Sequence, residues 1–169
     1  MGVTVLEPPA DMFAVGADAI VIPTNCLGVH GAGLALAAKE RWPTSCANYT
    51  RQCKDGLIAP GSLWAETTAV GGAPLRVLFV ATKDHWKHPS RMEWVIDGIN
   101  AIVEWATLER PKVLAVAAIG CGHGQLAWGD VLPTMLEAFS ALPGTINVMV
   151  FAPHAREAKP RRRGRTGQR

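Results

Sequence analysis

The sequence predicts an α/β domain of three layers, with helices on both faces of a mixed, mainly parallel sheet of about six strands. Two observations carry this. Short β-branched or apolar runs alternate with longer helix-like stretches, the pattern of strands joined by crossover helices. One run, residues 113–119, is apolar almost throughout, as a strand covered on both faces must be. The 169 residues suit one domain, and with 49% hydrophobic and 18% charged residues they can bury a core without metal or disulfide support.

Taken in order, residues 3–6 read as a first strand and residues 19–22 as a second, stopped by Pro23. Residues 33–41 hold the helix formers Leu34, Ala35, Leu36, Ala37 and Ala38, ended by Trp42-Pro43. Thr44 or Ser45 would cap a second helix running to Lys54 and closed at Gly56. Residues 63–66 and 76–81 read as strands on either side of a Gly71-Gly72 turn. Ser90 and Glu93 have the spacing of a capping box, before a helix whose apolar positions Met92, Val95, Ile96, Ile99, Ile102, Val103 and Ala106 follow a 3.6-residue period. Residues 131–142 form the last helix and 146–151 the last strand.

Charge divides the chain. From Arg156 onward, seven of the 17 Lys and Arg residues stand against one acid, Glu157, so the remainder is mildly acidic although the net formal charge is +3. The expected organisation is a domain over residues 1–154 and a basic disordered tail over 155–169. That tail is either a solvated end or a salt-sensitive arm for phosphates. Glu7, Asp11 and Asp18 interrupt the first apolar residues and no long apolar run follows, so a cytoplasmic protein without membrane contact is expected. Cys26, Cys46, Cys53 and Cys121 form no Cys-x-x-Cys pair, and the scattered histidines lack metal-ligand spacing, so no metal and no other cofactor is expected.

In a parallel sheet ligands bind beyond the carboxyl ends of the strands, and three such segments are unusual. Residues 23–33 lead through Gly28, Gly31 and Gly33 straight into a helix, so backbone N–H groups and the positive end of the helix dipole favour an anion there. A tight structural turn is the competing reading. Gly120-Cys121-Gly122-His123-Gly124 follows the apolar strand, and the two loops together would grip a pyrophosphate from both sides. Thr82-Lys83-Asp84-His85-Trp86-Lys87-His88 ends another strand. Lys83 is either simply solvated or, if desolvated, a nucleophile or base. Trp86 is either a core residue or a stacking surface for a nucleobase, with His85 beside it and Lys87 or Arg91 near phosphate. Cys26 and Cys121 read as small fillers rather than a reactive pair.

In this order, Ala17-Asp18-Ala19-Ile20-Val21-Ile22-Pro23-Thr24-Asn25, Gly31-Ala32-Gly33-Leu34-Ala35 and Gly120-Cys121-Gly122-His123-Gly124 resemble the macro domain family, over residues 3–153. Within it the chain looks most like the DarG-type DNA ADP-ribosyl glycohydrolase antitoxins. The shared segments are Asn25-Cys26-Leu27-Gly28-Val29, Phe79-Val80-Ala81-Thr82-Lys83-Asp84-His85-Trp86 and Ser90-Arg91-Met92-Glu93. The resemblance implies an enzyme that removes ADP-ribose from a nucleobase in DNA. It assigns Asp11 and Met12 to the adenine and Asn25 to the distal ribose. Gly31, Ala32 and Gly33 become the first phosphate loop, and Gly120, Cys121, Gly122, His123 and Gly124 the second, with Thr82 also in the binding set. Lys83 becomes the catalytic lysine, attacking the anomeric carbon of an opened ribose. Implied partners are ADP-ribose, ADP-ribosylated DNA in single-stranded form and a cognate ADP-ribosyltransferase toxin. The chain departs from the family's pattern at Ala10, Ile22 and Ala32, and at Gly124, where the protein-directed glycohydrolase has a catalytic Asp. The alternatives are a hydrolase of ADP-ribosylated acidic side chains or O-acetyl-ADP-ribose, and a non-catalytic ADP-ribose-binding module.

Overall fold

The computed structural model describes residues 2–154; the basic segment expected to be a disordered tail lies outside the described residues. The elements are β1 (Val3–Leu6), β2 (Ala19–Asn25), α1 (Gly33–Arg41), α2 (Pro43–Lys54), β3 (Leu63–Val70), β4 (Ala73–Lys83), α3 (Met92–Glu109), β5 (Val113–Ala117), α4 (Trp128–Ser140) and β6 (Asn147–Phe151). One six-stranded sheet has the order β1-β6-β5-β2-β4-β3. Every neighbouring pair is parallel except β3 and β4, which run antiparallel at one edge. Their hairpin closes from Val70 to Ala73 through Gly71 (φ +57°) and Gly72 (φ +82°), a two-residue turn whose positive φ angles only glycine adopts freely.

Alternation along the central strands builds the three layers. Val21, Leu78, Val80 and Val116 enter a core covered by α3 and α4 through Val95, Ile99, Ile102, Met135 and Phe139. Ile20, Ile22, Phe79 and Ala115 point the other way, into a second core covered by α1 and α2 through Ala38, Cys46 and Tyr49. Gly98 lets α3 lie close on the sheet, since a Cβ there would come within 2.5 Å of Val80 Cγ1. Asp18, just before β2, accepts hydrogen bonds from the backbone N–H of Lys112 (2.6 Å) and Val113 (2.9 Å), setting the start of β5 against β2.

Several boundaries differ from the sequence expectation, each for a local reason. Pro23 does not stop β2, which continues to Asn25. Pairing of β2 with β5 ends at Val21, so beyond it the strand has a ladder only on the β4 side and tolerates a missing donor as an edge strand does. Pro43 at the first turn, not Thr44 or Ser45, begins α2, with Trp42 as its cap residue. The Ser90–Glu93 capping box does not form. Arg91 is the cap residue of α3, and Glu93 instead lies 3.5 Å from the Arg91 guanidinium. The apolar run at 113–119 outlasts its strand because Ile119 is buried under the turn that follows Ala117.

Candidate functional site

The carboxyl ends of all five parallel strands open on one cleft of about 1190 Å³. That is slightly beyond the roughly 300–1,000 Å³ usual for small-ligand sites. Asp11, Met12, Asn25, Gly31, Ala32, Gly33, Thr82, Lys83, Gly120, Cys121, Gly122, His123 and Gly124 all line it, as do Trp86 and Lys87. His85 and Arg91 do not line it. His85 stacks on Trp86 at 5.7 Å between centroids, and Arg91 lies 4.8 Å over the Trp94 ring.

Asn25 organises the first loop. Its Oδ1 accepts from the N–H groups of Leu27 and Val29 (3.1 Å each), and its Nδ2 donates to the Val29 carbonyl (2.9 Å). The Tyr49 hydroxyl donates to the Asn25 carbonyl at 3.0 Å, tying the loop to α2. His30 is buried edge-on to Tyr49 and Phe79, and burial holds its pKa below the usual imidazole value, so it plugs the loop into the second core as a neutral ring. Beyond it α1 begins with no side-chain cap at Ala32 and no acid in its first turn. Its first N–H groups and the positive end of its dipole are therefore unanswered by side chains at the cleft. Asn25→Ala removes all three loop bonds, with an expected loss of about 1–3 kcal/mol in unfolding free energy by denaturant titration. An unchanged midpoint would contradict the loop-organising role.

The glycines of the second loop serve two purposes. Gly120 has φ +78°, and a Cβ there would lie 2.7 Å from Val95 Cγ2. A Cβ at Gly124 would meet the Ser90 hydroxyl and come within 2.8 Å of the Gly120 carbonyl carbon. These two are required by packing. Gly122 meets nothing within 4 Å and Gly31 only Val29 at 3.8 Å, so those are the positions open to a ligand. The loops also face one another, a Cβ at Gly33 lying 3.5 Å from the His123 ring.

At the end of β4, Thr82 is buried with its hydroxyl 3.4 Å from the Thr24 carbonyl of β2, which it donates to. Lys83 beside it is only 8% exposed. Its Nζ donates to the Trp86 carbonyl at 3.2 Å, and among the described residues no carboxylate pairs with it. Burial lowers its pKa from the ordinary lysine value, the direction that favours a free amine. Asp84, its neighbour, is turned to His88 at 3.1 Å. At the other end of the cleft Asp11 accepts from Phe13 N–H through Oδ1 (2.9 Å), and its Oδ2 meets no protein donor among the described residues. The thiols stand apart. Cys26 packs against the second core and Cys121 lies in the first, on opposite faces of the sheet, and burial pushes the Cys26 pKa up to about 11.

The sequence reading did not find Phe13, Gln125, Phe151, Ala152, Pro153 and His154, which also line the cleft. The strand-end rule applied to β1 and β6 as well would have found the flanking ones.

The macro domain family model matches residues 21–135. A Thermus aquaticus DNA ADP-ribosyl glycohydrolase is 33% identical over 136 residues, 80% of this chain and 38% of that protein. The macrodomain of Mycobacterium tuberculosis DarG superposes with a TM-score of 0.83 at 28% identity, covering 90% of this chain and 99% of that one. Thermosipho africanus DarTG in complex with ADP-ribose gives 0.82 at 28% identity, covering 90% of this chain and 42% of that one. The chain spans about 40% of the length of the curated relatives it matches.

Proposed function

This chain belongs to the macro domain family, and from that premise we propose that it is an ADP-ribosyl glycohydrolase releasing ADP-ribose from a nucleobase in DNA. The observation that carries this reading is the sequestered amine of Lys83, set in the same cleft as two facing glycine loops. In this reading the loops at 31–33 and 120–124 hold the diphosphate through backbone N–H groups. Asp11, through its uncommitted Oδ2, accepts from the exocyclic amine of adenine above Met12. Asn25 and Thr82 bound the distal ribose, bringing its anomeric carbon to Lys83. The neutral amine adds to that carbon, which in the opened sugar is an iminium to the base nitrogen, and the new ammonium passes its proton to that nitrogen. The lysine nitrogen's lone pair then expels the base and leaves a lysyl imine. Water then adds to the lysyl imine, returning free ADP-ribose and free lysine.

The names of the relatives support DNA as the carrier. That no carboxylate pairs with Lys83 among the described residues is the observation favouring the second reading, a module that binds ADP-ribose without turnover. A cognate ADP-ribosyltransferase toxin, an antitoxin role in the cytoplasm and a domain boundary at residue 154 complete the proposal. The test supplies the protein with an ADP-ribosylated single-stranded oligonucleotide, an ADP-ribosylated acidic peptide and O-acetyl-ADP-ribose. Release from the oligonucleotide with little or none from the others is expected. Tight calorimetric binding of ADP-ribose with no release from any substrate would overturn the enzyme reading.

A further inference from the structure

Trp86 lines the cleft that holds Lys83 and is 46% exposed, so the core reading of this residue fails. Its carbonyl receives the Lys83 amine at 3.2 Å. The turn that carries the indole is therefore tied to the amine through its main chain, and both side chains line one cleft. A group leaving the carbon that Lys83 attacks departs into the cleft this ring lines. We propose that Trp86 is a platform for the leaving group, making a planar base, rather than an acidic side chain, the group this site releases. The inference rests on the glycohydrolase reading and names the residue that gives that site its preference for a base.

The neighbouring side chains fit this use. The Lys87 ammonium lies 4.9 Å from the centre of the Trp86 ring, while its own side chain is exposed and lines the cleft. An exposed cation over an aromatic ring is a weaker partner than a stacked base. A base settling on the indole displaces Lys87, whose charge then reaches the adjoining phosphate without leaving the cleft mouth. His85 stacks on Trp86 with the planes 25° apart and its Nδ1 accepts from Lys87 N–H at 3.1 Å, so it steadies the indole without entering the cleft. Aliphatic carboxylates offer no aromatic face to stack on the indole.

The experiment compares wild type, Trp86→Ala and Trp86→Phe on an ADP-ribosylated single-stranded oligonucleotide and on free ADP-ribose. Trp86→Ala is expected to lower kcat/KM for the oligonucleotide by about 5- to 150-fold. Its affinity for free ADP-ribose should stay within about twofold, and Trp86→Phe should recover most of the loss. An equal loss of ADP-ribose affinity would mean that the ring only shapes the cleft, and an unchanged kcat/KM would remove the platform outright. If wild type leaves the oligonucleotide intact, the glycohydrolase reading fails separately. The intact oligonucleotide then serves as the ligand: the platform requires Trp86→Ala to lose affinity for it relative to free ADP-ribose, and equal losses overturn it.

Discussion

Lys83→Ala is expected to reduce release of ADP-ribose from DNA by about a thousandfold or more, while free ADP-ribose still binds. The amine is the reacting group in the proposed chemistry, whereas the diphosphate and adenine are held by other residues of the cleft. Lys83→Arg should fail as completely, because a guanidinium keeps the charge but cannot supply a free amine. The pH profile has a definite sign. Burial disfavours the ammonium form, so the folded pKa lies below the ordinary lysine value. The rate should rise with pH as the amine is freed, with a midpoint below 10.5, the ordinary lysine value. Single-turnover assays across pH with calorimetry on the variants check both statements. Retained turnover in Lys83→Ala would remove the lysine mechanism, and a rate that falls on raising pH from neutrality would contradict the free-amine form.

Gly124→Asp tests whether the chain can take the acid found in the protein-directed branch of its family. A Cβ at 124 would press on the Ser90 hydroxyl and on the backbone of Gly120, its carbonyl carbon 2.8 Å away. Ser90 is buried, and the Gly120 backbone has φ +78° with its carbonyl held by the Leu126 N–H at 2.9 Å. The loop must therefore shift. The expected cost is about 1–3 kcal/mol in stability and at least about tenfold in ADP-ribose affinity, with no rescue by Ser90→Gly. A variant with native affinity and native melting temperature would show that the loop is softer than these contacts imply.

Glycine content located both loops in the sequence, because an unusual density of glycine after a strand signals close approach of something. It did not say of what. At Gly120 and Gly124 the close neighbours are the protein's own atoms, at Gly31 and Gly122 there is open cleft, and only spatial neighbours separate the two cases. Ser90 illustrates the converse error. Its spacing to Glu93 matched a local capping pattern, yet the chain carries its hydroxyl into the interior beside Gly124, where Ser90 N–H donates to the Gly124 carbonyl at 2.9 Å. Trp86 was open between core and surface on sequence grounds, since an indole serves either role; its exposure resolved it.

Periodicity and composition sufficed for the layered class, for six strands and for all four helices, because alternation and 3.6-residue spacing are local consequences of which face is buried. Short motifs likewise sufficed to name Lys83 and both glycine loops. Their convergence came from the sheet. The order β1-β6-β5-β2-β4-β3 brings the ends of strands separated by more than a hundred residues to one rim. Residues such as Phe13 and Phe151 carry no local mark of function and join the cleft only through that topology. The state of Lys83 was decided there too, because desolvation depends on the atoms packed around an amine and not on the residues beside it in the chain.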